Sequence, residues 1–86
     1  MTIHELKIKK DYFIAIRNRT KNFELRKNDR DYRVGDLIKF IVLDDFNITY
    51  NPSELYYISY VLQNCPEYGL QEGYCILAIK EVRIDD

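Results

Sequence analysis

Phe23-Glu24-Leu25-Arg26-Lys27-Asn28-Asp29-Arg30-Asp31-Tyr32 is the stretch whose reading decides the fold. It begins as a strand. Apolar Phe23 and Leu25 alternate with charged Glu24 and Arg26, so period two sets the charged pair on one face and the apolar pair on the other. It then runs into dense charge without glycine or proline. A strand that sets a carboxylate beside a guanidinium and opens into a basic loop offers a pocket wall for an anionic or nucleotide-like ligand.

Upstream of it, Ile3 to Ile8 reads as a first strand. Lys9-Lys10-Asp11 follows, with Asp11 as N-cap of a helix. Tyr12, Phe13, Ala15 and Ile16 give that helix its apolar stripe, and Arg17 and Arg19 near its end suit the helix dipole. Thr20-Lys21-Asn22 turns the chain into the Phe23–Lys27 strand. Downstream, Asn28 to Gly35 is a polar connection and Leu37 to Val42 a buried β-run. Asp44 to Ser53 is loop, broken at Asn51-Pro52, and Glu54 to Leu62 is a long strand. Asn64 to Gly73 is loop with Pro66 and Gly69, Tyr74 to Ile79 is the last strand, and Asp85-Asp86 frays.

The predicted order is strand, helix, then four strands. One helix cannot cover both faces of a five-stranded sheet, whereas curling the sheet into a barrel reduces its exposed edges. The expected fold is therefore α+β, mainly β: a small five-stranded, partly open barrel with one helix after the first strand.

Eighty-six residues make one domain, residues 1–86. A chain this short buries only ~60–65% of the surface its unfolded form exposes, so its core is small. A hydrophobic content of 47% is enough for a folded globule. The sequence starts without a signal-like apolar segment and has no run of membrane-spanning length, so a cytoplasmic, membrane-free protein is expected. Cys65 and Cys75 form no Cys-x-x-Cys pair, and His4 is the only histidine. They read as buried or half-buried free thiols in a reducing compartment, and neither a metal nor a cofactor is expected.

The formal net charge of −1 hides an asymmetry. Residues 17–33 hold seven basic side chains (Arg17, Arg19, Lys21, Arg26, Lys27, Arg30, Arg33) against Glu24, Asp29 and Asp31, a balance of +4. Residues 34–86 hold Lys39, Lys80 and Arg83 against nine acids, a balance of −6. A basic segment on an otherwise acidic domain is either a localised anion-facing surface or a solvated loop with internal ion pairs.

Four pieces of the chain carry a family resemblance: His4-Glu5-Leu6-Lys7-Ile8; Lys21-x-x-Glu24-x-Arg26-Lys27-Asn28-Asp29-Arg30-Asp31-Tyr32; Val34-Gly35-Asp36; and Gly69-Leu70-x-Glu72-Gly73-Tyr74. In this order they resemble the ASCH domains of the PUA-like superfamily, most closely a small bacterial and phage branch without an assigned function. The resemblance covers nearly the whole chain. It implies a β-barrel with a cleft lined by the Lys-x-x-Glu-x-Arg motif beside the helix, and a role in binding RNA or modified nucleotides. Certain small relatives hydrolyse the acetyl amide of N4-acetylcytidine with a Lys, a Thr nucleophile three residues later, and a Glu. Here the third residue after Lys21 is Glu24, and Thr20 is out of register. The glycine often found before the motif is replaced by Arg19 and Thr20, so a locally different helix-to-strand turn is expected.

Each candidate has a functional and a plainer reading. Glu24 and Arg26 either pair to hold the cleft together, or bind ligand, Glu24 accepting from a base amino group and Arg26 donating to phosphate or a base carbonyl. Lys21 is an exposed turn lysine or a phosphate contact. Lys27 and Arg30 are flexible donors able to position a nucleic acid without reading its sequence. Tyr74 stacks on a base or packs in the barrel. Tyr56, Tyr57 and Tyr60 fit strand packing, Asn28 and Asp29 fit turn shaping, and His4 fits a structural or exposed position. Glu72 lies near the cleft mouth or caps a turn. The function expected is binding of RNA or a nucleotide beside Lys21, Glu24 and Arg26. The alternative is a small hydrolase of a modified nucleoside, with Lys21 and Glu24 as catalytic candidates and Glu24 as acid/base. A protein partner on the acidic C-terminal half is a third possibility.

Overall fold

A computed structural model of the chain describes residues 1–83. Strand β1 (Ile3–Lys9) runs directly into helix α1 (Lys10–Arg17), and β2 (Phe23–Lys27) follows a short turn. Then come β3 (Leu37–Leu43), β4 (Thr49–Tyr50), β5 (Leu55–Gln63), a 3-10 turn at Pro66–Tyr68, and β6 (Tyr74–Glu81). The strands form one curled sheet, a half-barrel, in the order β1-β3-β5-β6-β2, with β4 paired to β3. Only β1 and β3 are parallel; β3–β5, β5–β6 and β2–β6 are antiparallel. The mainly β, partly open barrel with one helix is thus as expected. The fraying expected at Asp85-Asp86 lies outside the described residues.

Three local expectations are corrected. The loop from Asp44 to Ser53 contains β4, because the Asp44 carboxylate accepts from the amides of Phe46 and Ile48 and folds the segment back onto β3. Asp11 is not the N-cap: Lys9 is, without a side-chain cap bond, and Asp11 sits in the first helical turn. There its charge still suits the positive end of the helix dipole. The helix-to-strand turn keeps a common hydrogen-bond pattern even without glycine. The Thr20 amide donates to the Ala15 carbonyl (2.9 Å) and the Arg19 amide to the Ile16 carbonyl (3.0 Å), the bond pair of a Schellman end. Arg19 itself takes the left-handed position there, at φ 63°.

Period two governs the core. His4, Leu6 and Ile8 of β1, Ile38, Phe40 and Val42 of β3, and Cys75, Leu77 and Ile79 of β6 all point inward. Phe13 and Ile16 of α1 close one side, and Phe40 packs edge-on against both Phe13 and Tyr56. In β5 the parity changes at a bulge between Ile58 and Tyr60. Tyr56 and Ile58 face in, whereas Tyr60 and Leu62, of the same parity, face out. Cys65 and Cys75 are both buried free thiols.

Strand β2 reverses the rule. Its charged residue Glu24 is buried while Phe23 and Leu25 are 44% and 56% exposed. Register sets Glu24 opposite Leu77 and Arg26 opposite Cys75, on the inner face. Phe23 and Leu25 lie opposite Ala78 and Ile76, on the outer face beside Tyr60 and Leu62.

Candidate functional site

The barrel is open between β1 and β2, the two ends of the strand order. Guanidinium groups bridge this seam. Arg26 Nη1 donates to the Lys7 carbonyl at 2.9 Å, and Arg30 Nη1 to the Glu5 carbonyl at 2.8 Å. Two β1 carbonyls are met by side chains where a neighbouring strand would otherwise meet them. Beside the bridge lies a cleft of about 490 Å³ lined by residues of β1, α1 and β2. Its charged lining is Lys7, Lys9, Lys21, Glu24 and Arg26; Ile8, Tyr12, Phe23 and Leu25 supply the apolar part.

Glu24 is the centre of the cleft. Lys21 Nζ donates to its Oε1 at 2.5 Å, and Arg26 Nη1 approaches its Oε2 at 3.5 Å. The Lys21 ammonium also donates to the Phe23 carbonyl at 2.8 Å and lies near the rings of Tyr12 and Phe23, 5.3 and 4.9 Å from their centroids. The backbone explains the meeting. The Schellman end releases the chain at Thr20, the short turn carries Lys21 toward the barrel, and the parity of β2 turns Glu24 and Arg26 the same way. One carboxylate between two cations leaves a net positive charge, with lone pairs of Glu24 still able to accept.

The motif Lys21-x-x-Glu24-x-Arg26 therefore does converge on one cleft. Other candidates do not join it. Lys27 and Tyr74 are register partners on the opposite face of the sheet from Glu24, because each is one residue out of phase with the inward set. Arg30 lies next to Arg26, in a shallow depression with Leu25, Lys27 and Asp29, with its guanidinium engaged at Glu5. Glu72 is exposed and lines neither this cleft nor the depression. Thr20 donates its hydroxyl to the Ala15 carbonyl and does not line the cleft.

Several residues outside the motif matter as well. Tyr32, in the polar connection, is buried, and burial pushes its hydroxyl pKa up despite the neighbouring Arg26 and Arg30. It packs on His4 at 4.8 Å between ring centroids. His4 Nε2 lies 2.8 Å from Asp36 Oδ2, and the Asp36 carboxylate also accepts from the amides of Thr2 and Arg33. The His4 bond, outweighing burial, holds the Asp36 carboxyl below its usual range. This knot fixes β1 to the turn before β3, a structural role. Tyr12 lines the cleft, a role its helical stripe position did not signal. Tyr56 has its hydroxyl pKa pushed up to about 12, by burial first and then by Glu81 and Glu54.

Among the described residues no helix is long and apolar enough to cross a membrane, and no three His, Cys, Asp or Glu side chains cluster as metal ligands would. No curated protein matches the sequence. Residues 3–79 match the family described as Domain of unknown function (DUF3850), a span that takes in β1, the cleft motif, the seam arginines and nearly all of β6, and the chain belongs to that family.

Proposed function

We propose that the cleft between β1 and β2 binds RNA or a nucleotide, as an ASCH-like binding module acting in the cytoplasm. The observation that carries this reading is the inward-facing Glu24, held between Lys21 and Arg26 on the wall of an open cleft. A carboxylate with spare lone pairs accepts from a base amino group, while the ring faces of Tyr12 and Phe23 offer stacking surface. Lys7, Lys9 and Arg26 surround it with positive charge suited to the phosphates.

The test is an amide-resolved NMR titration with structured RNA, single-stranded RNA and free nucleosides at two salt concentrations. Shifts should cluster at residues 7–9, 12 and 21–26. About four single-strand phosphate contacts should cost roughly fiftyfold in affinity between ~50 and ~200 mM salt. Absence of shifts with every RNA and nucleoside at low salt would sink the reading.

One observation favours the hydrolase alternative: an ammonium and a carboxylate are paired on the wall of the cleft. In that reading Glu24 is acid/base and Lys21 stabilises developing negative charge. Incubation with N4-acetylcytidine tests it, and turnover that survives Glu24→Ala would exclude the mechanism.

A further inference from the structure

Two departures from ordinary folding practice meet in a second cleft, of about 450 Å³, at the C-terminal end of α1. It is lined by the turn after the helix, by Tyr56 near the start of β5, and by the end of β6. The first departure is Tyr56. It is 3% exposed, yet its hydroxyl has no hydrogen-bond partner among the described residues. Burying a hydroxyl unpartnered costs stability, and phenylalanine would fill the same space without that cost. The second is Arg19, whose left-handed φ of 63° glycine would adopt with less strain. Stability alone explains neither the Tyr56 hydroxyl nor a residue other than glycine at position 19, and both residues line this cleft.

Among the described residues that line the cleft, the charge has one sign in excess. Arg19, Lys80 and Arg83 stand against Glu81, whose carboxylate is 4.0 Å from the Arg83 guanidinium. Lys21 also reaches this lining, but its ammonium is engaged by Glu24 and the Phe23 carbonyl. About two positive charges therefore remain, matching a phosphate monoester dianion better than a carboxylate. We propose that this cleft binds a phosphate monoester, with the Tyr56 hydroxyl donating to a phosphate oxygen and Arg19, Lys80 and Arg83 balancing its charge. Tyr56 suits a donor role because its hydroxyl keeps its proton through the neutral range. The site shares only the already engaged Lys21 with the Glu24 cleft, and the proposal stands or falls separately from the reading of that cleft.

The experiment titrates the labelled protein with inorganic phosphate, uridine 5′-monophosphate and uridine. Uridine monophosphate should shift residues 19, 22, 56 and 80–83, and uridine should leave them unmoved. Inorganic phosphate should bind the same residues more weakly than the ester. Tyr56→Phe should weaken monophosphate binding roughly tenfold or more, as expected for loss of a bond to a charged group. Its Tm should equal or exceed that of the native chain. Arg19→Gly should likewise weaken binding while raising Tm, giving a second variant that removes a departure without endangering the fold. Shifts confined to the Glu24 cleft would overturn the proposal, as would full monophosphate affinity in Tyr56→Phe. Tighter binding of inorganic phosphate than of the ester would also reject a monoester site.

Discussion

Asp36→Asn should be among the most damaging single changes in the chain, and its damage should depend on pH. Asp36 is 6% exposed and accepts three bonds: from the Thr2 amide at 3.2 Å, the Arg33 amide at 3.1 Å and His4 Nε2 at 2.8 Å. A carboxylate offers acceptors on both oxygens, whereas asparagine keeps one carbonyl oxygen and presents an NH₂ to groups that already donate. Leaving a donor unpartnered in this buried cluster around a carboxylate costs about 2–3 kcal/mol. A domain of this length holds only roughly 4–13 kcal/mol in total, so the loss is a large share of it. Urea denaturation at neutral pH should show it as a fall in midpoint, with Tm down by more than about ten degrees.

The acid limb separates this cause from mere packing loss. The folded Asp36 carboxyl is held below its ordinary range by His4 and the two amides, while the unfolded one titrates near about 3.9. Its stabilisation is therefore complete above the unfolded value and is lost as pH falls through the folded one. The native chain should lose stability on acidification below about pH 4, and Asp36→Asn should lack that part of the slope. A smaller acid slope should persist in the variant, because Arg17 holds the partly exposed Glu54 carboxyl down in the same direction. Parallel stability curves for native and variant down to about pH 2.5 would refute the assignment of that slope to Asp36.

Two further perturbations test other parts of the construction. Phe40→Ala removes a fully buried ring that packs on both Phe13 and Tyr56, and should cost about 3–5 kcal/mol by denaturant melt. Arg30→Ala removes a guanidinium bridge across the seam to the Glu5 carbonyl. It should cost only about 1 kcal/mol because the bond is exposed, but hydrogen exchange should quicken in β1 while β5 and β6 keep their protection.

The architecture was legible because β-prone apolar runs bounded by turn residues mark out β1, β3, β5 and β6, whereas the inward set within β3 and β6 shows only in the fold, their outward positions being largely apolar too. Three kinds of feature escaped for physical reasons. A two-residue strand such as β4 lies below the length at which periodicity exists, and it depends on one aspartate folding its own loop. The bulge in β5 shifts the phase of Tyr60 relative to Tyr56, and nothing in a run of strand formers marks where a phase slips. The roles of Tyr32, Tyr56 and Asp36 rest on partners more than twenty residues away or on the lack of one. In the candidate site, the shared face of Glu24 and Arg26 was readable from two-residue parity, while only the family resemblance implied that Lys21 joins them. The separation of Lys27 and Tyr74 from them follows from the same parity once the register of β2 on β6 is known.

The inverted polarity of β2 gives the sharpest way to ask whether the Glu24 cleft exists for binding or for stability. Apolar side chains inward and charged ones outward would be the cheaper arrangement, yet here Glu24 is inside while Phe23 and Leu25 face solvent. The Lys21 and Glu24 side chains are only 16% and 6% exposed, so bringing them together costs desolvation that their attraction must offset. Replacing both, as in Lys21→Met with Glu24→Leu, removes two charges and fills the volume with apolar atoms. Such replacements are commonly neutral or stabilising by about 1–4 kcal/mol. Arg26 keeps its bond to the Lys7 carbonyl in that variant, so the seam stays bridged. Glu24→Ala alone should behave oppositely and destabilise by about 2 kcal/mol or more, since it leaves Lys21 and Arg26 facing each other without a carboxylate. The expected result is a double variant as stable as the native chain or more so, and without RNA or nucleotide binding at the cleft. A double variant destabilised as much as Glu24→Ala would show that the charged pair supports the barrel itself. The inverted strand would then carry no argument for a ligand.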